Sequence, residues 1–317
     1  MRVLFAGSPE IAVPSLAAVV RDHDVVGVLT NPAAPKGRGL REVRTPVEEA
    51  AADLIPETPI LAFDRLGPEA REAVAALHPE ILVSFAYGRI FGPKFLALFP
   101  RGGVNVHPSL LPKYRGSAPI PWAILNRDSE TGITVQRLAL RMDCGAILAQ
   151  EVVPLSGRET TETLSELMAE RGADLLASVL QRLERGEAEE TEQDESRATY
   201  CSLLRKEDGR VDWTMPAPDI DARIRAFHPW PGAYAELRGR RVNLLESEPY
   251  PEGVLEAPPP VRPEPGTVVA LDKSRGIMVQ TGNGLLALRR LQLQTKKPLP
   301  FREFANGTRD IVGARFH

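Results

Sequence analysis

Residues 3–20, VLFAGSPEIAVPSLAAVV, decide the fold class of this chain. The apolar run Val3–Ala6 is typical of a buried strand in a parallel sheet. The Gly-Ser-Pro sequence at 7–9 turns the chain, and Ile11–Val20 is predicted to form a helix. A strand that leads through a tight turn into a helix is the unit from which α/β proteins are built.

Short apolar runs of the same kind recur through the first half of the chain and alternate with helical or loop segments. This alternation predicts a parallel sheet covered by helices. The further predicted strands are Val25–Leu29, Ile81–Phe85, Val104–Val106, Ile133–Leu138 and Ala146–Val153. Apolar residues at helical spacing from Leu164 to Leu183 then predict one long helix, which begins at Thr160 or Thr161 and ends at Gly186.

The second half of the chain has a different pattern. Residues 184–195 include seven acidic side chains, so we expect a linker over 186–205. A short helix around Ile220–Phe227 and five short strands separated by glycine turns predict a small β-barrel. The predicted strands are Ala233–Leu237, Val242–Leu245, Thr267–Leu271, Ile277–Gln280 and Leu285–Leu293. Residues 249–265 contain seven prolines and are predicted to form an exposed loop. The expected domains are 1–185 and 206–317.

Composition excludes several classes of protein. The chain has 317 residues, a hydrophobic content of 43% and no apolar run as long as a membrane span. The N-terminus lacks the pattern of a signal peptide. Two cysteines, Cys144 and Cys201, cannot form a disulfide framework, which favours the cytoplasm. The five histidines have no metal-ligand spacing, and no metal is expected.

The charge of the chain is distributed unevenly. Residues 200–317 carry 18 Lys and Arg against 14 Asp and Glu, although the whole chain has a net charge of −3. This excess of basic residues suggests a polyanionic partner at that end.

The stretch from Gly103 to Gly116, GVNVHPSLLPKYRG, contains the candidate catalytic residues. Asn105 and His107 lie two positions apart in a predicted strand, so their side chains project from the same face. Pro108 ends the strand, at the edge where α/β sheets bind ligands. A side-chain amide beside an imidazole supplies the donors that a developing oxyanion needs. Alternatively, His107 is a hydrogen-bonded structural residue.

A second candidate element is Met142-Asp143-Cys144-Gly145, a carboxylate in a glycine-bearing turn between two predicted strands. Such a turn can bring Asp143 to a pocket, although most turns of this type are structural. Cys144 has no second histidine placed to activate it, so we interpret it as a packing residue.

The combination of these motifs with Thr131-Gly132-Ile133-Thr134 resembles the folate-dependent formyltransferases. The resemblance implies a Rossmann-like core, 10-formyltetrahydrofolate as the formyl donor and a catalytic set of Asn105, His107 and Asp143. Residues 5–9 (FAGSP), 37–39 (GRG) and 225–231 (RAFHPWP) are similar to segments of the branch that formylates methionyl-tRNA. For that branch the resemblance implies a smaller C-terminal OB-like domain that binds tRNA.

The resemblance also implies binding residues. Those expected at the folate site follow two strand ends and are Phe85, Tyr87, Gly88, Ile90, Ser109, Leu110, Leu111 and Pro112. Those expected to contact tRNA phosphates are Arg38, Arg41, Arg44, Arg289, Arg290, Lys296 and Lys297. The family loop after Gly-Arg-Gly is usually rich in lysine, whereas this chain has arginines and Glu42 there.

The predicted function is therefore formyl transfer to the α-amine of methionyl initiator tRNA by a cytoplasmic, monomeric enzyme without a membrane partner. The nearest alternative keeps the chemistry and changes the acceptor to an amino sugar or a glycinamide nucleotide. A nucleotide-dependent oxidoreductase is disfavoured, because Gly7-Ser8-Pro9-Glu10 lacks the dinucleotide-binding glycines. A catalytically inactive RNA-binding protein is disfavoured by the intact Asn, His and Asp set.

Overall fold

The computed structural model describes residues 1–36, 41–255 and 261–317. The chain forms two compact units. The N-terminal unit comprises Met1–Pro119, Glu130–Pro154 and Leu164–Ser202, and the C-terminal unit comprises Ile120–Ser129, Leu155–Thr163 and Leu203–His317. Most of the predicted linker, residues 186–202, clusters with the N-terminal unit.

The helices are α1 Val13–Asp22, α2 Pro46–Leu54, α3 Pro68–Ala76, α4 Pro93–Leu96, α5 Pro119–Leu125, α6 Thr161–Arg185, α7 Ala217–Ala226 and α8 Phe301–Asn306. The strands are β1 Arg2–Gly7, β2 Asp24–Thr30, β3 Ala34–Lys36, β4 Arg41–Val43, β5 Ile60–Ala62, β6 Ile81–Phe85, β7 Gly103–His107, β8 Arg115–Gly116, β9 Glu130–Arg137, β10 Ile147–Pro154, β11 Tyr200–Cys201, β12 Tyr234–Leu237, β13 Arg240–Tyr250, β14 Val268–Asp272, β15 Gly276–Gln280, β16 Leu285–Leu293 and β17 Leu299–Pro300. None of the helices in the described ranges is long and apolar enough to cross a membrane.

Within the described residues, seven strands form the main sheet of the N-terminal unit in the order β10-β9-β7-β6-β1-β2-β5. Strands β7, β6, β1, β2 and β5 run parallel to one another, β9 is antiparallel to β7, and β10 is antiparallel to β9. The strand order reverses at β1 and β6, and ligands of such open sheets bind beyond the carboxyl ends of the strands near that reversal. The predicted α/β core is confirmed.

Apolar residues cover both faces of this sheet. Leu4, Ala6, Leu29 and Leu82 pack with the aromatic side chains of residues 91–99 on one face. On the other face Gly172 of α6 lies against Val106, Phe85 and Ile133, so the long helix predicted from its leucine spacing approaches the centre of the sheet closely. Because both faces of the sheet are apolar, polar side chains are accommodated at the carboxyl ends of the strands.

The C-terminal unit contains an antiparallel sheet in the order β12-β13-β16-β15-β14, with β17 paired to β16. One face packs on α7 and α8 around Ile220, Leu244, Leu288 and Phe304. The sheet is consistent with the predicted OB-like barrel. One expectation is wrong: Pro249 and Tyr250 belong to β13, which pairs with β16 through Tyr250, so the proline-rich segment does not begin as a loop. Its residues 256–260 lie outside the described part of the chain.

Candidate active site

The carboxyl end of β7 presents Asn105 and His107 on one face of the sheet. The alternation of the strand places Val104 and Val106 on the opposite face, and Val106 lies against Gly172 of α6. Asn105 is paired in register with Ser84 of β6 on one side and with Gln136 of β9 on the other. The predicted common projection of Asn105 and His107 is therefore what the strand register produces.

His107 is only 4% exposed and is held in one orientation. Its Nε2 lies 2.9 Å from the backbone oxygen of Tyr114. A carbonyl oxygen can only accept, so Nε2 carries the hydrogen. Its Nδ1 faces Asp143, with 3.7 Å to Oδ1, which is longer than a hydrogen bond but close enough for an ion pair when the imidazole is protonated. The imidazole therefore offers Nδ1 for proton exchange.

Asp143 is fixed by two hydrogen bonds from the protein. The backbone N–H of Gly116 donates to Oδ2 at 2.9 Å, and Nε2 of Gln136 donates to Oδ1 at 3.0 Å. The residue has a φ of +52°, a conformation that aspartate tolerates better than most residues. Gly145 is required beside it, because a Cβ there would collide with the backbone oxygen of Arg137. The turn thus holds the carboxylate against the imidazole.

Asn105 differs from His107 and Asp143 in its hydrogen bonding. Its side chain is half-buried, and its amide receives or donates no hydrogen bond within the described part of the chain. A half-buried amide beside a fixed imidazole and a fixed carboxylate is a donor left open to a bound molecule. The structure thus brings together the three residues predicted as catalytic.

Three polar residues near Asp143 were missed by the sequence reasoning. Gln136 lies in β9, and Gln193 lies in the segment predicted as a linker; both are buried. The Arg115 side chain is completely buried and donates to Gln193 and Glu195. The hydrogen bond with Glu195 raises the pKa of Arg115 further above its ordinary value. The one available signal was Gln136, a polar residue directly after the apolar Val135 in a predicted strand.

Comparison with known proteins identifies the family. Residues 1–180 match the formyl transferase family, and residues 203–309 match the C-terminal domain of formyl transferases. The chain is 45% identical to the methionyl-tRNA formyltransferase of Treponema denticola over 100% of this chain and 99% of that protein. It is 47% identical to that of Treponema pallidum strain Nichols, over 99% of each. The chain belongs to the methionyl-tRNA formyltransferase family.

Solved structures share the formyltransferase fold at low sequence identity. The N-formyltransferase of Helicobacter canadensis, in complex with folinic acid and dTDP-3-aminofucose, aligns with a TM-score of 0.65 and 20% identity, over 91% of this chain and 98% of that one. HypX of Aquifex aeolicus, in complex with tetrahydrofolic acid, aligns with a TM-score of 0.61 and 19% identity, over 98% of this chain and 48% of that one. At these identities the similarity establishes the fold alone.

The expected folate residues of the formyltransferase family fall into two groups in this chain. Ser109 and Leu111 are buried, and the Ser109 hydroxyl donates to the backbone oxygen of Lys113 at 2.6 Å. Leu110 and Pro112 are half-buried, and Leu110 packs where a Cβ on Gly132 would lie. Ser109 and Leu111 therefore support the loop after β7 from inside, and Leu110 and Pro112 reach its surface.

The segment after β6 shows the same division. Phe85 is buried beside Gly172, and Tyr87 is buried in a stack with Phe91. Burial also raises the pKa of the Tyr87 hydroxyl. In contrast, Gly88 has open space around it at a φ of +80°, and Ile90 is 70% exposed. Of the expected folate residues after β6, Gly88 and Ile90 are thus the two that lie at the surface.

The predicted phosphate-binding residues differ in what they contact. Arg38 and the side chain of Arg41 lie outside the described residues. Arg44 forms an exposed ion pair with Glu48 at 3.4 Å. Arg289 is ion-paired with Glu248, and Arg290 with Glu246 at 3.2 Å. Lys296 and Lys297 are exposed, and neither has a carboxylate partner in the described ranges.

The potential metal ligands of the chain are dispersed. Within residues 1–36, 41–255 and 261–317, no three His, Cys, Asp or Glu side chains are grouped so that they could hold a metal ion. Cys144, interpreted from the sequence as a packing residue, is half-buried with its Sγ 3.1 Å from the backbone oxygen of Met142.

Proposed function

We propose that this protein transfers the formyl group of 10-formyltetrahydrofolate to the α-amine of methionine esterified to initiator tRNA, a step of translation initiation. The observation that carries the proposal is the open amide of Asn105 beside the fixed pair of His107 and Asp143. The full-length relatives at 45% and 47% identity support methionyl-tRNA as the acceptor. We further propose that the enzyme acts in the cytoplasm as a monomer.

The residues at the end of β7 match the chemical need of formyl transfer. Attack of the amine on the formyl carbon builds negative charge on the formyl oxygen, and a donor already in place stabilises that charge. Asn105 supplies this donor, because its amide is not engaged by the protein. The enzyme needs no rearrangement to present it.

Proton movement falls to His107 and Asp143. The amine must lose a proton and the folate nitrogen must gain one, which is work for a positioned acid–base group. His107 uses Nε2 to anchor itself on Tyr114, so Nδ1 exchanges the proton. Asp143 stabilises the imidazolium, because its carboxylate is held 3.7 Å from that nitrogen.

We propose that the formyl donor binds between two loops of the N-terminal unit. Folate presents a flat apolar ring with polar edges, and such ligands bind apolar walls that carry a few backbone groups. We assign the walls to Gly88 and Ile90 after β6 and to Leu110 and Pro112 after β7. The buried members of the expected set support these walls from inside, and they are Phe85, Tyr87, Ser109 and Leu111.

The assignment of Asn105 is tested by substitution. Asn105→Ala should lower kcat by about 10²–10³, as expected for loss of one oxyanion donor. Asn105→Asp keeps the size but removes the donor, so it should lose as much. Binding of 10-formyltetrahydrofolate, measured by fluorescence titration, should persist in both. Turnover near the wild-type value in either variant contradicts the role given to Asn105.

The acceptor is tested separately, with charged initiator tRNA, free methionine and an amino sugar nucleotide as competing substrates. We expect transfer only to the tRNA. Lys296→Gln combined with Lys297→Gln should raise the KM for tRNA several-fold and reduce its salt dependence, because two free cations are lost. Lys273→Gln, in the turn between β14 and β15, is the control and should have less effect. Transfer to the sugar instead of the tRNA would establish the alternative acceptor.

A further inference from the structure

Gln193 occupies a buried position in a segment that is otherwise acidic and exposed. Its side-chain amide makes contacts in two directions. The oxygen accepts from Nε and Nη2 of Arg115, at 3.0 and 2.8 Å. The nitrogen lies 3.1 Å from Oε1 of Gln136, 2.9 Å from the backbone oxygen of Asp143 and 2.7 Å from that of Gly145. One side chain therefore joins a buried cation to the turn that carries Asp143.

The direction of every hydrogen bond in this network is dictated by chemistry. A guanidinium only donates, so the oxygen of Gln193 must face Arg115 and its nitrogen must face the turn. That nitrogen has two hydrogens for three oxygens, so Oε1 of Gln136, the most distant at 3.1 Å, shares one of them with a backbone oxygen. Nε2 of Gln136 then faces the Asp143 carboxylate, which can only accept. The orientation of Arg115 thus determines the orientation of the donor that Asp143 receives.

The segment that carries Gln193 is fastened beside the turn by its own contacts. Thr191 pairs with Ile147 at the start of β10, and β11 pairs in parallel with β8. The hydroxyl of Thr199 accepts from the backbone N–H of Tyr114 at 2.8 Å. Residues 181–202 lie between the two regions that match formyl transferase domains. The network therefore depends on a connecting segment that neither match includes.

We propose that Gln193 is a positioning residue of the active site, which orients Asp143 toward His107 through Gln136 and through the backbone of the turn. The inference rests on the proposed function, because it assigns Gln193 to the proton transfer that accompanies formyl transfer. Arg115 acts through Gln193. A merely structural glutamine would affect folding without affecting the chemistry of Asp143.

Two variants separate the role of the Gln193 side-chain oxygen from that of its nitrogen. Gln193→Met removes both, and Gln193→Glu keeps an acceptor for Arg115 but removes the donors to the turn. Each should lower kcat about 10–100-fold, the cost of a lost hydrogen bond to a buried polar group, and leave the KM for the formyl donor within about twofold. Glu192→Gln, on the exposed neighbour, is the matched control and should behave as wild type.

A double variant decides between positioning and general destabilisation. In an Asp143→Asn background, Gln193→Met should lower kcat by less than about twofold further, because residues that act through one group are not additive. A full additional loss, or wild-type kcat in Gln193→Glu, overturns the proposal. If the wild-type enzyme itself transfers no formyl group to methionyl-tRNA, the proposed function fails. If it does so and both Gln193 variants match it, the inference alone fails.

Discussion

A histidine ring is buried at each end of the parallel strands of the main sheet, and the two rings differ in their partners. His107 closes β7 at the carboxyl end, donates from Nε2 to Tyr114 and turns Nδ1 toward Asp143. His23 precedes β2 at the amino end, and neither of its ring nitrogens has a hydrogen-bond partner within the described residues. Its nearest carboxylate is Glu184, 3.8 Å from Nδ1.

At the amino end, Glu184 lies closer to the N-terminal amine than to His23. The N-terminal amine is bound to Glu184 at 2.8 Å, and this hydrogen bond lowers the pKa of Glu184. Burial, followed by the positive N-terminus, lowers the pKa of His23, so this ring is held neutral. Burial alone therefore does not identify a functional histidine. Both rings have a carboxylate at a similar distance, 3.7 Å for His107 and 3.8 Å for His23, so what distinguishes His107 is the hydrogen bond from Nε2 to Tyr114, which fixes its ring.

The largest expected contrast is in turnover. His107→Gln should lower kcat by about 10²–10⁴, because it removes the acid–base group. His23→Leu should leave kcat within about twofold. Single-turnover formyl transfer at saturating 10-formyltetrahydrofolate measures the effect of each substitution. A large loss of kcat in His23→Leu, with an unchanged melting temperature, would remove the distinction between the two ends of the sheet.

Gly145 beside Asp143 and Gly27 in the middle of β2 give a second, smaller contrast. A Cβ at Gly145 would meet the backbone oxygen of Arg137, whereas a Cβ at Gly27 in β2 would meet the side-chain tips of Leu77 and Leu4. Backbone cannot yield as side chains can. We expect Gly145→Ala to lower the free energy of unfolding by about 1–3 kcal/mol and to lower kcat, because the turn that carries Asp143 must shift.

Gly27→Ala is the matched control for that experiment. It should lower the free energy of unfolding by less than about 1 kcal/mol and leave kcat unchanged. Denaturant unfolding and steady-state kinetics measure the two quantities. Equal effects at both glycines would mean that the turn is no more rigid than the middle of β2.

The sequence predicted elements that depend on local pattern. Ile81–Phe85 and Leu285–Leu293 have the bounds that the structure shows, because the first is a short apolar run and a glycine turn at residues 282–284 precedes the second. The shared face of Asn105 and His107 could also be predicted from local pattern, because the side chains of a strand alternate between its two faces. The role of Asp143 came from the family resemblance, and its closeness to His107 is a property of the folded chain.

Other features depend on partners distant in sequence and could not be predicted. Gln193 meets Asp143 only because residues 187–202 return to the sheet, and an acidic run gives no sign of that path. Arg289 and Arg290 looked like free cations, but Glu248 and Glu246 on β13 pair with them across the strands. A proline is tolerated near the end of β13 because, within the described residues, β12 pairs with Arg240–Asn243 and does not reach Pro249.

The smallest expected effect concerns stability against pH and isolates His23. The pKa of His23 lies below its ordinary value of 6.5 in the folded protein, so below pH 6.5 the unfolded chain binds a proton that the folded chain does not. The stability that His23 contributes is therefore present above pH 6.5 and is lost as pH falls toward the folded pKa. His23→Leu should consequently show a shallower fall in melting temperature between about pH 7 and pH 5 than the wild type, measured by differential scanning calorimetry. A steeper fall in the variant would mean that His23 gains its proton in the folded state and pairs with Glu184, and then the amino end of the sheet, like the carboxyl end, would hold a histidine with a working partner.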